Sequence, residues 1–533
     1  MKGAFEPKKI EKKWYSFWEA NKLFSPQENS KKEPFCIMIP PPNVTGSLHM
    51  GHGFQNTLMD VLARFKRSKG FDVLWQVGTD HAGIATQIVV ERNLEKEGIT
   101  KEFLGRKEFE KEIWKWKKHS GSTITKQLRR LGASLDWENE KFTMDEDFNE
   151  AVTEVFCSLY DEGLIYKGFR LANWDIKLQT ALSDLEVIST EEKGKIWEIS
   201  YKTDLGNLVI ATTRPETMLG DVAIAVNPKD QRYKKFIGRK AIIPLIEREI
   251  PIIGDSYVDM EFGTGCLKIT PGHDFNDFEI GKKNNLPLIN IMNSDGTLNS
   301  SVPKKYQSLT MVEARKRILI DLKSSGNLIK EKDHSITIPK SDRTGVILEP
   351  FLTEQWYLKS NEMALKAKKL VKNKQIKLIP ENWENTYFSW MNEIRDWCIS
   401  RQLWWGHRIP AWYDEDRNIY VGKSVSEVRK KYGLSKKIGL TQDQDVLDTW
   451  FSSQLWTFVT LGWPKKTKRL KKFHPTSVLV TGFDIIFFWV ARMIMITNKF
   501  LNEVPFKEVY VHGLVRDGDG QKMSKSKGNI IDP

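Results

Sequence analysis

The chain opens with apolar residues at helical spacing. Ile10, Trp14, Phe17 and Trp18 are separated by charged positions, which predicts an amphipathic helix within residues 5–24, packed on the body of the protein. The polar stretch from Ser25 to Pro34 breaks it. Phe35-Cys-Ile-Met-Ile39 is a continuous apolar run closed by three prolines, the pattern of a buried strand. Phe54, Leu58, Val61, Leu62 and Phe65 share one face of a helix predicted from Leu48 to Phe65. Asp72-Val-Leu-Trp-Gln-Val77 reads as the next strand. Strand, helix and strand in that order form a βαβ unit and predict a parallel sheet.

A helical pattern covers residues 102–131 and ends in the basic run Lys126-Gln-Leu-Arg-Arg130. From residue 190 the texture changes to short β-rich runs with Gly and Pro turns, such as Leu208-Val-Ile-Ala-Thr-Thr213 and Gly265-Cys-Leu-Lys-Ile-Thr270, and continues to Pro339. Helices and strands return from residue 380, with Ser477-Val-Leu-Val-Thr481 and Glu508-Val-Tyr-Val-His512 as buried strands. The most apolar run, Ile485-Ile-Phe-Phe-Trp-Val-Ala491, is short and flanked by Asp484 and Arg492, so it reads as a buried element rather than a membrane span. The expected fold is α/β, a Rossmann-like parallel-sheet domain split by an inserted β-rich domain. The expected boundaries are a helical arm over 1–33, the first half of the sheet domain with connecting helices over 34–190, the insertion over 191–339 and the second half over 340–533.

A chain of 533 residues exceeds one compact core, and about two to four domains are expected. With 40% hydrophobic and 28% charged residues, it has the composition of a soluble globular protein. No apolar stretch of signal-peptide type opens the chain, which predicts a cytoplasmic location and no membrane association. The cysteines Cys36, Cys157, Cys266 and Cys398 are far apart. That excludes a CxxC zinc ribbon and argues for small buried thiols over a disulfide framework. The net charge of +13 suits a polyanionic partner such as nucleic acid, though a lysine-rich composition equally gives solvated lysines.

Two motifs carry phosphate chemistry. Pro40-Pro-Pro-Asn-Val-Thr-Gly-Ser-Leu-His49-Met-Gly51-His52 follows the first strand and opens a helix, whose unpaired N–H groups and partial positive charge suit phosphate. His49 and His52 lie on one face and can donate to phosphate oxygens, and Gly51 lets a flat base approach the backbone. The same pair could hold a metal, but no third ligand of suitable spacing is near. Lys522-Met-Ser-Lys525-Ser-Lys-Gly528 is a basic loop able to neutralise a leaving pyrophosphate, and is equally the composition of a disordered tail.

Together with Gly78-Thr-Asp80-His-Ala-Gly-Ile-Ala-Thr-Gln87, Asn173-Trp-Asp-Ile-Lys-Leu-Gln-Thr-Ala181 and Trp397-Cys-Ile-Ser-Arg-Gln-Leu-Trp-Trp-Gly-His407, these motifs resemble the class I aminoacyl-tRNA synthetases, and among them the valine-specific branch, over essentially the whole chain. The resemblance implies ATP with Mg2+, valine and tRNA(Val) as substrates, and a monomer. It implies that His49, Gly51, His52, Lys522, Ser524 and Lys525 bind ATP, with His49, His52, Lys522 and Lys525 catalytic. Asp80 and Asn43 would hold the substrate ammonium, and Pro41, Pro42, Trp450, Ile485 and Trp489 would form the valine slot. The bare reading of Asp80 is a helix cap. In the insertion, Arg214, Thr217, Lys268, Asp274 and Asp277 match the polar residues of the family's editing site, where threonyl products are hydrolysed. Without the resemblance, residues 273–277 read as turn chemistry.

The sequence departs from the family in two respects. Cys398 stands alone where some relatives cluster cysteines, so no structural zinc and no other resident metal is expected. The chain stops just after the second motif, without the family's anticodon-binding domain, and is expected to be a fragment competent at most for activation and editing. The alternatives are an isoleucine-specific synthetase, a nucleotidyltransferase of the cytidylyltransferase type and a non-catalytic RNA-binding fragment. The editing-like insertion and the tryptophan-rich slot argue against the nucleotidyltransferase.

Overall fold

The computed structural model describes residues 6–521, 523 and 528–533. It divides into two compact units, one running to Tyr166 and resuming at Tyr357, the other comprising Lys167–Trp356.

The first unit is built on a five-stranded parallel sheet in the spatial order Lys377–Ile379, Phe506–His512, Thr476–Gly482, Pro34–Met38, Asp72–Gln76. Its central strands read as apolar runs because both faces are covered: Ile37, Met38, Leu74, Trp75, Leu479 and Val480 are buried. The strand expected as buried over 508–512 instead alternates, with Val509 and Val511 buried and Tyr510 exposed, because it lies toward the sheet's edge beside the short strand Lys377–Ile379. The chain leaves Pro34–Met38 toward Asp72–Gln76 on one side and later returns on the other side with Thr476–Gly482. That reversal creates a crevice at the carboxyl ends of Pro34–Met38 and Thr476–Gly482, where ligands of open α/β sheets bind.

The predicted helices form, but two bury a different face. Helix Met50–Ser68 packs through Gly53, Asn56, Met59 and Ala63, while Phe54, Val61 and Phe65 of the expected apolar stripe are exposed. Gly53 and Ala63 let this helix lie close to its neighbours, and Met59 fills the contact between them, so the buried face is narrow and not the one with the most large apolar residues. Helix Pro7–Ala20 buries Tyr15 and leaves Ile10, Trp14 and Phe17 exposed. The Tyr15 hydroxyl explains the choice, since it donates to the Ala133 carbonyl at 2.7 Å and accepts from the Trp137 indole at 2.6 Å. The helical stretch after residue 100 divides at Gly105, in left-handed backbone with φ 72°, into Lys101–Leu104 and Arg106–Arg130.

The second unit is a mixed seven-stranded sheet. Its long strand Val187–Thr203 pairs antiparallel with Leu328–Ser341, Gly206–Thr212 and Lys240–Ile242. Glu249–Gly254, Ala223–Val226 and Cys266–Ile269 continue the sheet beyond Lys240–Ile242. Trp197, Tyr201, Ile210, Met218, Ile224, Ile252, Tyr306 and Ile318 share one core. The four cysteines are free thiols, and burial pushes those of Cys36, Cys157 and Cys266 up to about 12, which leaves them inert. Among the described residues no helix is long and apolar enough to cross a membrane, and no three His, Cys, Asp or Glu side chains gather as a metal site.

Candidate active sites

The sequence motifs of the first unit follow the carboxyl ends of adjacent strands. Pairing continues past Pro34–Met38 and Asp72–Gln76: Ile39 N–H donates to the Gln76 carbonyl at 3.1 Å, Asp80 N–H to Pro42 at 3.0 Å, and Val44 N–H to Asp80 at 3.1 Å. Three prolines supply no N–H groups, so the strand ends here while its carbonyls still accept. The backbone thereby brings Pro42, Asn43 and Asp80 together, with Pro42 buried and Asn43 exposed.

The pairing also requires Gly78. A Cβ there would stand 2.1 Å from the Lys141 carbonyl oxygen and 2.4 Å from the Trp456 ring. Gly78→Ala is therefore expected to destabilise the first unit by about 3 kcal/mol, read as a lowered denaturant midpoint.

His49 caps helix Met50–Ser68. Its Nδ1 accepts from Gly51 N–H at 3.1 Å, and Nδ1 of His52 accepts from His49 N–H at 3.3 Å. The two rings lie 4.0 Å apart. An accepting Nδ1 in a neutral imidazole puts the proton on Nε2, so each ring can donate from Nε2 to a phosphate oxygen. A Cβ at Gly51 would meet the His49 ring at 2.9 Å, a second reason for glycine there. The residues beyond the second motif return to the start of this helix, where the Ile531 carbonyl accepts from Met50 N–H at 2.9 Å, and to helix Arg106–Arg130, where Asp532 accepts from Gln127. Lys522, Ser524 and Lys525 lie outside the described residues.

Asp80 is not the helix cap. Ala82, in left-handed backbone with φ 48°, occupies that position ahead of Gly83–Lys96. The Asp80 carboxylate accepts from Ala82 N–H at 2.7 Å with Oδ1 and from the Ser453 hydroxyl with Oδ2. It is 4% exposed, and burial pushes its pKa up to about 6 against the pull of the two hydrogen bonds. Trp489 is buried within the π-helical turn Ile486–Ala491, and its indole donates to the Ser453 carbonyl at 3.0 Å. Trp450 lies on the short helix Thr449–Ser453 and stacks on Phe488 at 5.3 Å. Ile485 ends the turn Phe483–Ile485 and, like Pro41, is half-buried.

The second unit holds the other cluster. Lys268 is buried on Cys266–Ile269 and donates to Thr217 at 2.7 Å and Thr270 at 2.5 Å, with Asp221 at 3.3 Å as counter-ion. Asp221 also accepts from Tyr201 at 2.7 Å. Arg214 pairs with Glu349 and donates to the His273 carbonyl at 3.1 Å. Asp277 is buried and accepts from Thr270 N–H at 2.8 Å; burial, with Asp274 nearby, pushes its pKa up to about 7. Asp274 is exposed and caps helix Phe275–Lys283, accepting from Asn276 and Asp277 N–H. Thus Thr217 and Lys268 meet directly and Asp277 joins them through Thr270, whereas Asp274 also performs the expected turn chemistry. The sequence reading missed Ser453, Asp221, Thr270 and Glu349, none of which carries a local signal.

Residues 13–533 match the family described as tRNA synthetases class I (I, L, M and V). The chain is 56% identical to a valine–tRNA ligase of Francisella tularensis over 531 residues, which is 99% of this chain and 58% of that protein. It is 57% identical to one from Coxiella burnetii over 535 residues, 100% of this chain and again 58% of the relative. It therefore spans less than two thirds of the length of these curated relatives. In fold it is similar to the Agrobacterium radiobacter K84 LeuRS solved with tRNA and LeuAMS, with TM-score 0.54 and 18% identity, covering 99% of this chain and 70% of that one. The parallel sheet, the histidine-capped helix and the family match over nearly the whole length agree: the chain belongs to the class I tRNA synthetases.

Proposed function

We propose that this chain activates valine. The carboxylate of valine attacks the α-phosphate of Mg–ATP, the bond to the β-phosphate oxygen breaks, and valyl-adenylate and pyrophosphate form. In the family's complete reaction the valyl group then passes to the 2′-hydroxyl of the terminal ribose of tRNA(Val); the step proposed for this chain is activation. The observation that carries the reading is the buried Asp80 carboxylate, hydrogen-bonded to Ser453, whose carbonyl in turn holds the apolar Trp489. A carboxylate for the ammonium beside an apolar wall is the pairing an aliphatic amino acid requires. The Nε2 atoms of His49 and His52, at a helix N-terminus, supply donors for the phosphates. The rate would come from positioning and charge neutralisation.

An apolar slot rejects isoleucine by overfilling but accepts threonine, which is nearly isosteric with valine. Valine-specific synthetases are themselves the usual illustration, with about a hundredfold discrimination against threonine. We assign hydrolysis of threonyl esters to the second unit. Asp277 would take the ammonium, while Thr217 and Lys268 would meet the extra hydroxyl and position water. Valine lacks that hydroxyl and leaves those groups unpaired.

Calorimetric titration of the chain with valine tests the first site. Ammonium binding needs ionised Asp80, whose pKa is raised to about 6. Affinity is therefore expected to be full near pH 8 and to fall as pH drops through about 6; affinity unchanged down to pH 5 would remove Asp80 from the site.

A further inference from the structure

The short helix Thr449–Ser453 does more than carry Trp450. Gly83 N–H donates to Thr449 Oγ1 at 2.9 Å, so the helix grips the turn after Asp80. Its N-cap, Asp448, accepts from Trp450 N–H at 3.0 Å and pairs with buried Arg401. The helix is thus anchored at its start and fixed against the turn. At its far end Ser453, 2% exposed, donates its hydroxyl to Asp80 Oδ2 and accepts the Trp489 indole on its carbonyl. Asp80 and Trp489 come from separate segments, and Ser453 hydrogen-bonds to both.

We propose that Ser453 is the positioning residue of the amino-acid site: its hydroxyl fixes the carboxylate that receives the ammonium, and its carbonyl sets the tryptophan wall in register with that carboxylate. This rests on the valine-activation reading. Two consequences follow from the geometry. Without the hydroxyl, Oδ2 loses its donor, the carboxylate is held through Oδ1 by Ala82 N–H, and a charge-assisted hydrogen bond to a buried carboxylate is lost. The ionised form of Asp80 is also less favoured. Burial already raises its pKa, Asp448 adds to the rise, and neighbouring His81 is held neutral by its own burial and by His407.

The test is ATP–pyrophosphate exchange by the whole chain with Ser453→Ala and Ser453→Cys. The second variant nearly preserves volume while donating poorly. Both are expected to raise the KM for valine about tenfold, leave the KM for ATP unchanged, and move the acid limb of the valine profile to higher pH. Ser453→Thr, which keeps the hydroxyl, is expected to return KM toward the parent value. A merely structural role would lower the thermal midpoint without moving the acid limb. Exchange that depends on Asp80 but keeps its valine KM and acid limb in both variants would overturn the inference alone. No valine-dependent exchange by the parent chain, or exchange indifferent to Asp80→Asn, would overturn the reading on which it rests.

Discussion

Asp80→Asn is expected to lower kcat/KM for valine in ATP–pyrophosphate exchange by about a hundredfold to a thousandfold, with the KM for ATP unchanged. The asparagine oxygen can still accept from Ala82 N–H or Ser453, so the fold is kept and only the charge goes. A substrate ammonium would then enter a site that is 4% exposed at this residue without its counter-charge. Stripping one partner from a buried pair costs about 3–5 kcal/mol, and each 1.36 kcal/mol is a factor of ten. Water entering the loosened site would recover part of that, hence the lower bound. Steady-state exchange against varied valine and varied ATP separates this loss from general damage. A loss spread equally over both substrates would contradict the assignment.

Asp277→Ala is expected to slow hydrolysis of threonyl-tRNA by about a hundredfold. The alanine removes both the proposed ammonium partner and the acceptor of Thr270 N–H. Thr270 also accepts from Lys268, so the substitution loosens the residues that would read the threonine hydroxyl. The reaction should carry the signature of Asp277 in the unsubstituted chain. With the carboxyl pKa at about 7, ionisation and hence hydrolysis rise as pH increases through 7 and fall below it. Deacylation of preformed threonyl-tRNA over pH 6 to 8 measures both effects. A flat profile, or unchanged hydrolysis by Asp277→Ala, would remove Asp277 from the editing role.

Much of the fold was legible because its central strands are largely buried on both faces. Phe35 to Ile39, Asp72 to Val77 and Ser477 to Thr481 read as apolar runs and form one parallel sheet; Glu508 to His512 joins it, but with Tyr510 exposed rather than buried. Helix faces were harder to read. On Met50–Ser68 the large residues Phe54, Val61 and Phe65 outweigh Gly53, Asn56, Met59 and Ala63 in any hydrophobic count, yet the latter four make the contact. The site divides in the same way. His49, Asp80 and Lys268 stand in motifs whose resemblance names them. Ser453 meets Asp80 across 373 positions and Glu349 meets Arg214 across 135, and neither serine nor glutamate has a spacing that reveals such a partner. Those contacts exist only once the sheet has brought distant segments together.

The central claim is that the chain activates valine in preference to its near-isosteres. ATP–pyrophosphate exchange by the 533-residue chain with valine, isoleucine and threonine tests it most directly. The account predicts exchange strongest with valine, about a hundredfold weaker with threonine and weak with isoleucine. Equal or stronger exchange with isoleucine, or none with any of the three, would contradict it.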